Sequence, residues 1–374
     1  MNCKVDPIPV NSPLLNGNEK KYLMQCIDTG WISSEGSFVT RFEEQLSARV
    51  GRHHGIAVSS GSGALEIALA ALDIGHGDEV ILPAFTIISC ASAIVRAGAD
   101  PVLVDSDPQT WNMDVSGIES RITSRTKAIM AVHIYGLPVD MDEILRLAEK
   151  YGLYVIEDAA EMLGQTYKGR PCGSFGDIST FSFYANKHLT TGEGGMLVTD
   201  DPQIAEKCRS LRNLCLQPGR RFVHEELGWN MRMTNLQGAV GVAQLECVDD
   251  FVVKKRNMGR LYSELLKDIP GIRLPLGQTG DAENIYWVYG LVLENGTKDV
   301  ATAIKELAEQ DIGSRPFFWC MHEQPVFQKM GLFTDEHYPV AENLARRGFY
   351  IPSGLAITDD QIHRVSDALH NILQ

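Results

Sequence analysis

The sequence predicts an α/β fold: a mainly parallel central sheet flanked by helices, with a smaller C-terminal α+β domain. From about residue 55, short runs rich in Val, Ile and Leu alternate with helical patterns. Strands apolar along their whole length belong to parallel sheets covered on both faces. After Asp200 the alternation gives way to long helical patterns with a single strong strand. A chain of 374 residues has room for about two domains at ~150 residues each. The division expected from these patterns is 1–250 and 251–374.

In order, GIAVSS (55–60) is a strand and ALEIALAALDIG the helix that follows it. EVILP (79–83) leads into the helix ASAIVRAG and then the strand PVLVD (101–105). AIMAVHIYG (128–136) precedes the helix MDEILRLAEKYG, and LYVIEDAA (153–160) is the next strand. ISTFSFY (178–184) and GGMLVTD (194–200) are separated by a short turn and read as neighbouring, antiparallel strands. Beyond them DPQIAEKCRSLRNL is helical, and the stretch from TNLQGAVG to LLKDI is one long helix or two joined ones. IYWVYGLVLE (285–294) is a strand and VATAIKELAEQ (300–310) a helix. TDDQIHRVSDALHNIL (358–373) is a terminal helix opened by a Thr-Asp-Asp cap. Right-handed crossovers place the C-terminal ends of parallel strands on one edge, where ligands of such sheets bind.

The formal net charge is −14, from 48 acidic and 34 basic residues. That balance argues against nucleic acid or an anionic membrane as a partner, since phosphate backbones need clustered Lys and Arg. The opening MNCKVDPIPVNSPLLNG has no apolar core of a leader, so a cytoplasmic location is the expectation. The eight cysteines are scattered without a CxxC pair and are expected to be reduced. The ten histidines form no HExxH or i,i+4 pair, and no metal site is expected.

Three features fall at predicted strand ends. In SSGSGALEIAL a strand gives way at once to an apolar helix. Its N–H groups and dipole, approached closely beside Gly61 and Gly63, suit a phosphate. Ser62 could equally be the helix N-cap. In VIEDAAEMLG, Asp158 ends a buried strand, where a carboxylate needs a partner that rewards its charge. A purely structural bond to backbone or arginine would also satisfy it. In FSFYANKHLTTGEGGM, Lys187 follows an apolar strand and precedes a glycine-rich turn. Held partly desolvated, its neutral amine is a nucleophile; on a surface it would simply snorkel. Pyridoxal 5′-phosphate answers all three features together. Its phosphate would sit on Ser62 and Gly63, its ring nitrogen would face Asp158, and its aldehyde would condense with Lys187.

These motifs resemble the DegT-type sugar aminotransferases (DegT/DnrJ/StrS), fold-type I enzymes that use pyridoxal phosphate. The resemblance runs over nearly the whole chain, through GWISSEGSFVTRFEE, SGSGALEIALAAL, GDEVILPAFT, VHIYGLPVDMDEI, VIEDAAEMLG, GSFGDISTFSFYANKHLTTGEGGM, WNMRMTNLQGAVGVAQLE and SRPFFWCMH. It implies that Glu161 approaches the cofactor hydroxyl, that Ser182 bonds its phosphate, and that Asn230 reaches the phosphate of the neighbouring subunit. A homodimer with shared sites is therefore implied. Arg315 and His322 fall where the family approaches the sugar nucleotide. Arg220 and Arg221 form the basic pair that a diphosphate would want, although arginines of a solvated face look the same. The chain departs from the family at Ile87, where an aromatic residue usually stacks on the cofactor ring. Weaker stacking, not a lost site, is the expectation.

The function implied is transfer of an amino group from L-glutamate to a nucleotide-linked 4-keto-6-deoxy sugar. WISS, NKxxTTGEGGM and NxRMTNxQxAxGxAQLE match the wording of GDP-perosamine synthases and so tilt the expectation towards GDP-4-keto-6-deoxymannose. A dTDP- or UDP-linked 3- or 4-keto sugar is the alternative. A sugar dehydratase, which in this family carries histidine in place of the lysine, and a non-catalytic regulator rank lower. A dinucleotide-binding oxidoreductase would need GxGxxG at the first strand–helix turn, and SSGSGALE does not supply it.

Overall fold

The computed structural model describes residues 6–216, 219–220, 222–294 and 298–373. The large sheet is built from β1 (His54–Val58), β2 (Glu79–Pro83), β3 (Asp100–Val104), β4 (Thr126–Val132) and β5 (Tyr154–Asp158). A small hairpin follows, β6 (Thr166–Tyr167) and β7 (Arg170–Pro171), and then β8 (Ile178–Ser182) and β9 (Gly195–Thr199) complete the sheet. The seven strands lie in the order β1-β9-β8-β5-β4-β2-β3. Pairings from β8 through β5, β4, β2 and β3 are parallel, whereas β9 is antiparallel to both β8 and β1. The sheet is thus mainly parallel, as expected, with β9 the one reversed strand.

Alternate strand residues enter different cores, because side chains of a strand point to opposite faces. Ile56, Val58, Val80, Leu82 and Ile156 pack beneath the helices Gly61–Ala71 and Ile88–Ala97. Ala57, Ile81 and Val155 face the other way. There they meet the helices Ser37–Arg49, Met141–Tyr151 and Asn235–Leu245 through Phe42, Ile144 and Val242. Burial on both faces accounts for the unbroken apolar strands in the sequence.

The long helical stretch is two helices, Asn235–Leu245 and Val248–Leu266. The first opens on a capping box in which Thr234 and Gln237 satisfy each other's backbone N–H. A second sheet follows: β10 (Ile272–Arg273), β11 (Tyr289–Leu293), β12 (Arg315–Pro316) and β13 (Gly348–Ile351). Its order is β10-β11-β13-β12, antiparallel throughout. The helices Val248–Leu266, Val300–Ala308 and Asp359–Leu373 cover it through Tyr262, Leu307 and Leu369. Ile8 pairs with Ile312, so the N-terminal segment packs against this part of the chain. Among the described residues no helix is long and apolar enough to cross a membrane.

Candidate active site

The C-terminal ends of the parallel strands, with the segment Ile285–Val288 before β11, surround a cavity of about 320 Å³. Ser62, Ile87, Asp158, Glu161, Ser182 and Lys187, all expected at the site, line it.

One end of the cavity is the start of the helix Gly61–Ala71. The N-cap is Ser60, whose extended backbone lets its Oγ accept from the Gly63 N–H at 3.1 Å. Ser62 is therefore not spent on capping; its hydroxyl lies 2.8 Å from that of Ser89. Gly63 turns inward, where an added Cβ would stand 2.8 Å from the Met231 sulfur, and it does not line the cavity. Gly61 takes that place. A Cβ there would meet the Ser182 Cβ at 2.7 Å, so only glycine lets the helix start and the end of β8 close into one cradle. The Gly61 and Ser62 N–H groups lack intrahelical partners, and with the Ser62 and Ser182 hydroxyls they form a donor set for an anion.

Asp158 ends β5 on the cavity floor. Its carboxylate accepts from the Ala160 N–H at 3.0 Å and from the Cys90 thiol at 3.3 Å. Burial raises its pKa, opposed by those two donors and by the charge of Lys187. Glu157, one residue earlier and fully buried, fixes the strand end. It accepts from the N–H groups of Gly173 and Phe175 and from Ser179, and pairs with His133 at 3.0 Å. Glu161 accepts the Tyr135 N–H at 2.8 Å. Burial pushes its carboxyl up to about 7, with Lys187 pulling the other way.

Lys187 reaches the cavity from the turn after β8. Its Nζ stands 3.5 Å from Glu161 and 3.8 Å from the centre of the Trp287 ring. With the side chain only 13% exposed, it is the desolvated lysine, not a surface one. Trp287 had no signal beyond its membership of an apolar strand; it meets Lys187 only through the tertiary fold. Tyr184, Phe318 and Tyr350 complete the aromatic wall, and the buried Thr180 hydroxyl has no partner among the described residues. Ile87, 40% exposed, projects into the cavity from the N-cap position of the helix Ile88–Ala97.

The other expected residues lie apart. Asn230 is exposed and bridges Asn213. Arg220 is exposed and pairs with Glu225 at 3.4 Å. Arg221 lies outside the described residues. Arg315 is exposed on β12, opposite Tyr350 in register, and so sits near the cavity rim. His322 is buried and paired with Glu342 at 3.1 Å, and it does not line the cavity.

An anion cradle, a buried carboxylate and a shielded lysine in one cavity define a class. Residues 13–370 match the model of the DegT/DnrJ/EryC1/StrS aminotransferase family, and the chain belongs to that family of pyridoxal phosphate-dependent sugar aminotransferases. Within it, the chain is similar to the GDP-perosamine synthase of Caulobacter vibrioides, 43% identical over 98% of each chain. The GDP-perosamine synthase of Escherichia coli O157:H7 is 40% identical, over 97% of this chain and 98% of that one. In three dimensions it is similar to DesV of S. venezuelae in complex with a ketimine intermediate. That match has a TM-score of 0.91, with 31% identity over 98% of each chain.

Proposed function

We propose that the enzyme transfers the amino group of L-glutamate to C4 of GDP-4-keto-6-deoxymannose, giving GDP-perosamine. The observation that carries this reading is the Lys187 amine, poised between Trp287 and Glu161 in the cavity that ends at the Ser62–Ser182 cradle. The likeness to two GDP-perosamine synthases supports the choice of sugar and nucleotide.

The residues fit pyridoxal phosphate. The cradle suits its phosphate, Asp158 its ring nitrogen, Glu161 its hydroxyl and Lys187 its aldehyde, while the unpartnered Thr180 hydroxyl offers one more polar contact. When bound, the cofactor supplies an aldehyde for amine exchange and an electron-withdrawing ring that stabilises negative charge on the substrate carbon. Lys187 Nζ would hold the cofactor through its aldehyde and would be left as a free amine once glutamate is bound. The freed Nζ then takes the proton from the α-carbon of the donor as general base. In the second half-reaction Nζ delivers a proton to C4 of the sugar. Asp158 would face the ring nitrogen and hold a proton there by hydrogen bonding. Trp287 confines the free amine and shields it from water.

His188 is turned to the Ile285 carbonyl at 3.2 Å, outside the cavity, which gives the dehydratase reading no support. We also read the enzyme as a homodimer in which Asn230 completes the partner's cradle. Asn230 is exposed here, and Trp31, Ile32 and Leu227 expose large apolar surface at 56, 49 and 93%. The described cysteines are free thiols, which suits a reducing cytoplasm. The experiment that tests the function is incubation with L-glutamate and a panel of GDP-, dTDP- and UDP-linked keto sugars, with the product read by mass. Amination of GDP-4-keto-6-deoxymannose is expected. Exclusive turnover of a dTDP or UDP sugar would refute the substrate assignment.

A further inference from the structure

Lys255 lies on the helix Val248–Leu266 and is 3% exposed, yet it forms no ion pair among the described residues. Its ammonium donates to two backbone carbonyls, those of Trp287 at 2.9 Å and of Ser353. The Trp287 carbonyl belongs to the segment that closes the cavity before β11, and Ser353 follows β13. The same Trp287 carries its ring against the Lys187 Nζ and donates its indole N–H to the Asn186 carbonyl at 2.9 Å. On the far side of Lys187, His188 bonds the Ile285 carbonyl. The lysine turn is thus tied to Ile285–Trp287 on both flanks, and Lys255 ties that segment to the loop after β13.

We propose that Lys255 is a positioning residue for Lys187. Its two backbone bonds lock Trp287, and Trp287 sets the height and direction of the Lys187 amine. A buried ammonium without a carboxylate partner is a costly way to fill space, and its burial is offset by the two backbone bonds it makes. Its presence is explained by the geometry it imposes. Burial pulls the Lys255 amine down to about 7. The neutral amine still carries two N–H groups, so the brace survives deprotonation.

The inference rests on Lys187 being the lysine that holds the cofactor, and the test separates the two claims. Apo-protein is mixed with pyridoxal phosphate, quenched with borohydride at intervals, and the adduct on the Lys187 peptide is followed by mass. Lys255→Met and Lys255→Gln are compared with wild type, alone and with Trp287→Phe. Thermal unfolding, kcat and KM are recorded in parallel. Lys255→Met strips two buried carbonyls of their donor and should unfold somewhat below wild type, and in the folded protein should form the adduct about ten- to a hundredfold more slowly. The same factor should appear in kcat, with KM for glutamate nearly unchanged. Lys255→Gln, whose amide still donates but on a shorter side chain, should fall between. In the Trp287→Phe background either change should add little, because the effect passes through Trp287. Adduct formation at wild-type rate in both Lys255 variants, or effects that multiply with Trp287→Phe, would overturn the inference alone. A wild-type protein that traps nothing at Lys187 would remove the cofactor assignment and this inference with it.

Discussion

Lys187 is held between a carboxylate and an aromatic face, and the two contacts limit it differently. Glu161 at 3.5 Å orients the amine, while the Trp287 ring at 3.8 Å keeps water off it. Asp158 is proposed to face the cofactor ring, so Asp158→Asn should leave the unfolding temperature near wild type and lower kcat by about 10²-fold or more. Steady-state kinetics beside a melting curve checks this, and near-native kcat would remove Asp158 from the chemistry. Glu161 makes a separate prediction for the apo-protein. Its folded carboxyl lies at about 7, above the ~4.3 of an exposed glutamate, because of burial. A raised pKa means the native chain holds the proton more tightly, so this stabilisation is complete below the unfolded value. It fades as pH rises through about 7. Glu161→Gln should therefore gain on wild type by on the order of 3 kcal/mol between about pH 4 and about pH 8. Denaturant titrations at both ends of that window measure the gain, and parallel profiles would contradict it. Lys187, Asp158 and Ser62 were legible because each sits at or just beyond a strand end, whereas Glu161 and Ser182 entered only through the family resemblance. Trp287, Cys90 and Lys255 were not legible, since their hydrogen-bond partners are 101, 68 and 32 residues away.

The parallel strands were legible because burial on both faces leaves no polar residues to break the pattern. The junction after β1 shows where local reading is less sharp. Ser60 and Ser62 are both plausible caps by type, and only backbone geometry assigns the cap to Ser60 and the free hydroxyl to Ser62. Adding a methyl at Gly61 would drive the helix start into Ser182 at 2.7 Å. Gly61→Ala should therefore weaken cofactor binding, by about tenfold or more for a displaced cradle, with little change in the visible spectrum once saturated. Equilibrium dialysis against pyridoxal phosphate measures this, and unchanged affinity would contradict the cradle. The helices Glu19–Thr29 and Ser37–Arg49 went unread, since their modest apolar stripes, Tyr22 and Cys26 or Phe38, Phe42 and Leu46, sit among polar residues. Strands β10 and β12, of two residues each, are defined by pairing and have no compositional mark.

The order of the seven strands and the contact of Ile8 with Ile312 depend on long-range packing that no local pattern encodes. The same holds for Asn230, Arg220 and His322, whose sequence positions say nothing about which cavity they serve. Asn230 and Arg220 face outward here, and His322 is committed to Glu342. If Asn230 serves the neighbouring subunit, Lys187→Ala and Asn230→Ala chains, each impaired alone, should regain activity when mixed and allowed to exchange. One site of each mixed dimer would then carry both native residues. Assays before and after exchange, with light scattering to confirm dimers of the 41.3 kDa chain, check this. Absence of any recovery in verified mixed dimers would assign Asn230 to its own subunit.

Everything proposed for catalysis requires that Lys187 alone bind the aldehyde of pyridoxal phosphate. The most direct measurement is borohydride reduction of the saturated protein followed by peptide mapping. A stable phosphopyridoxyl adduct on Lys187, lost in Lys187→Ala, is the expected result. An adduct on another lysine, or none on a fully folded protein, would contradict it.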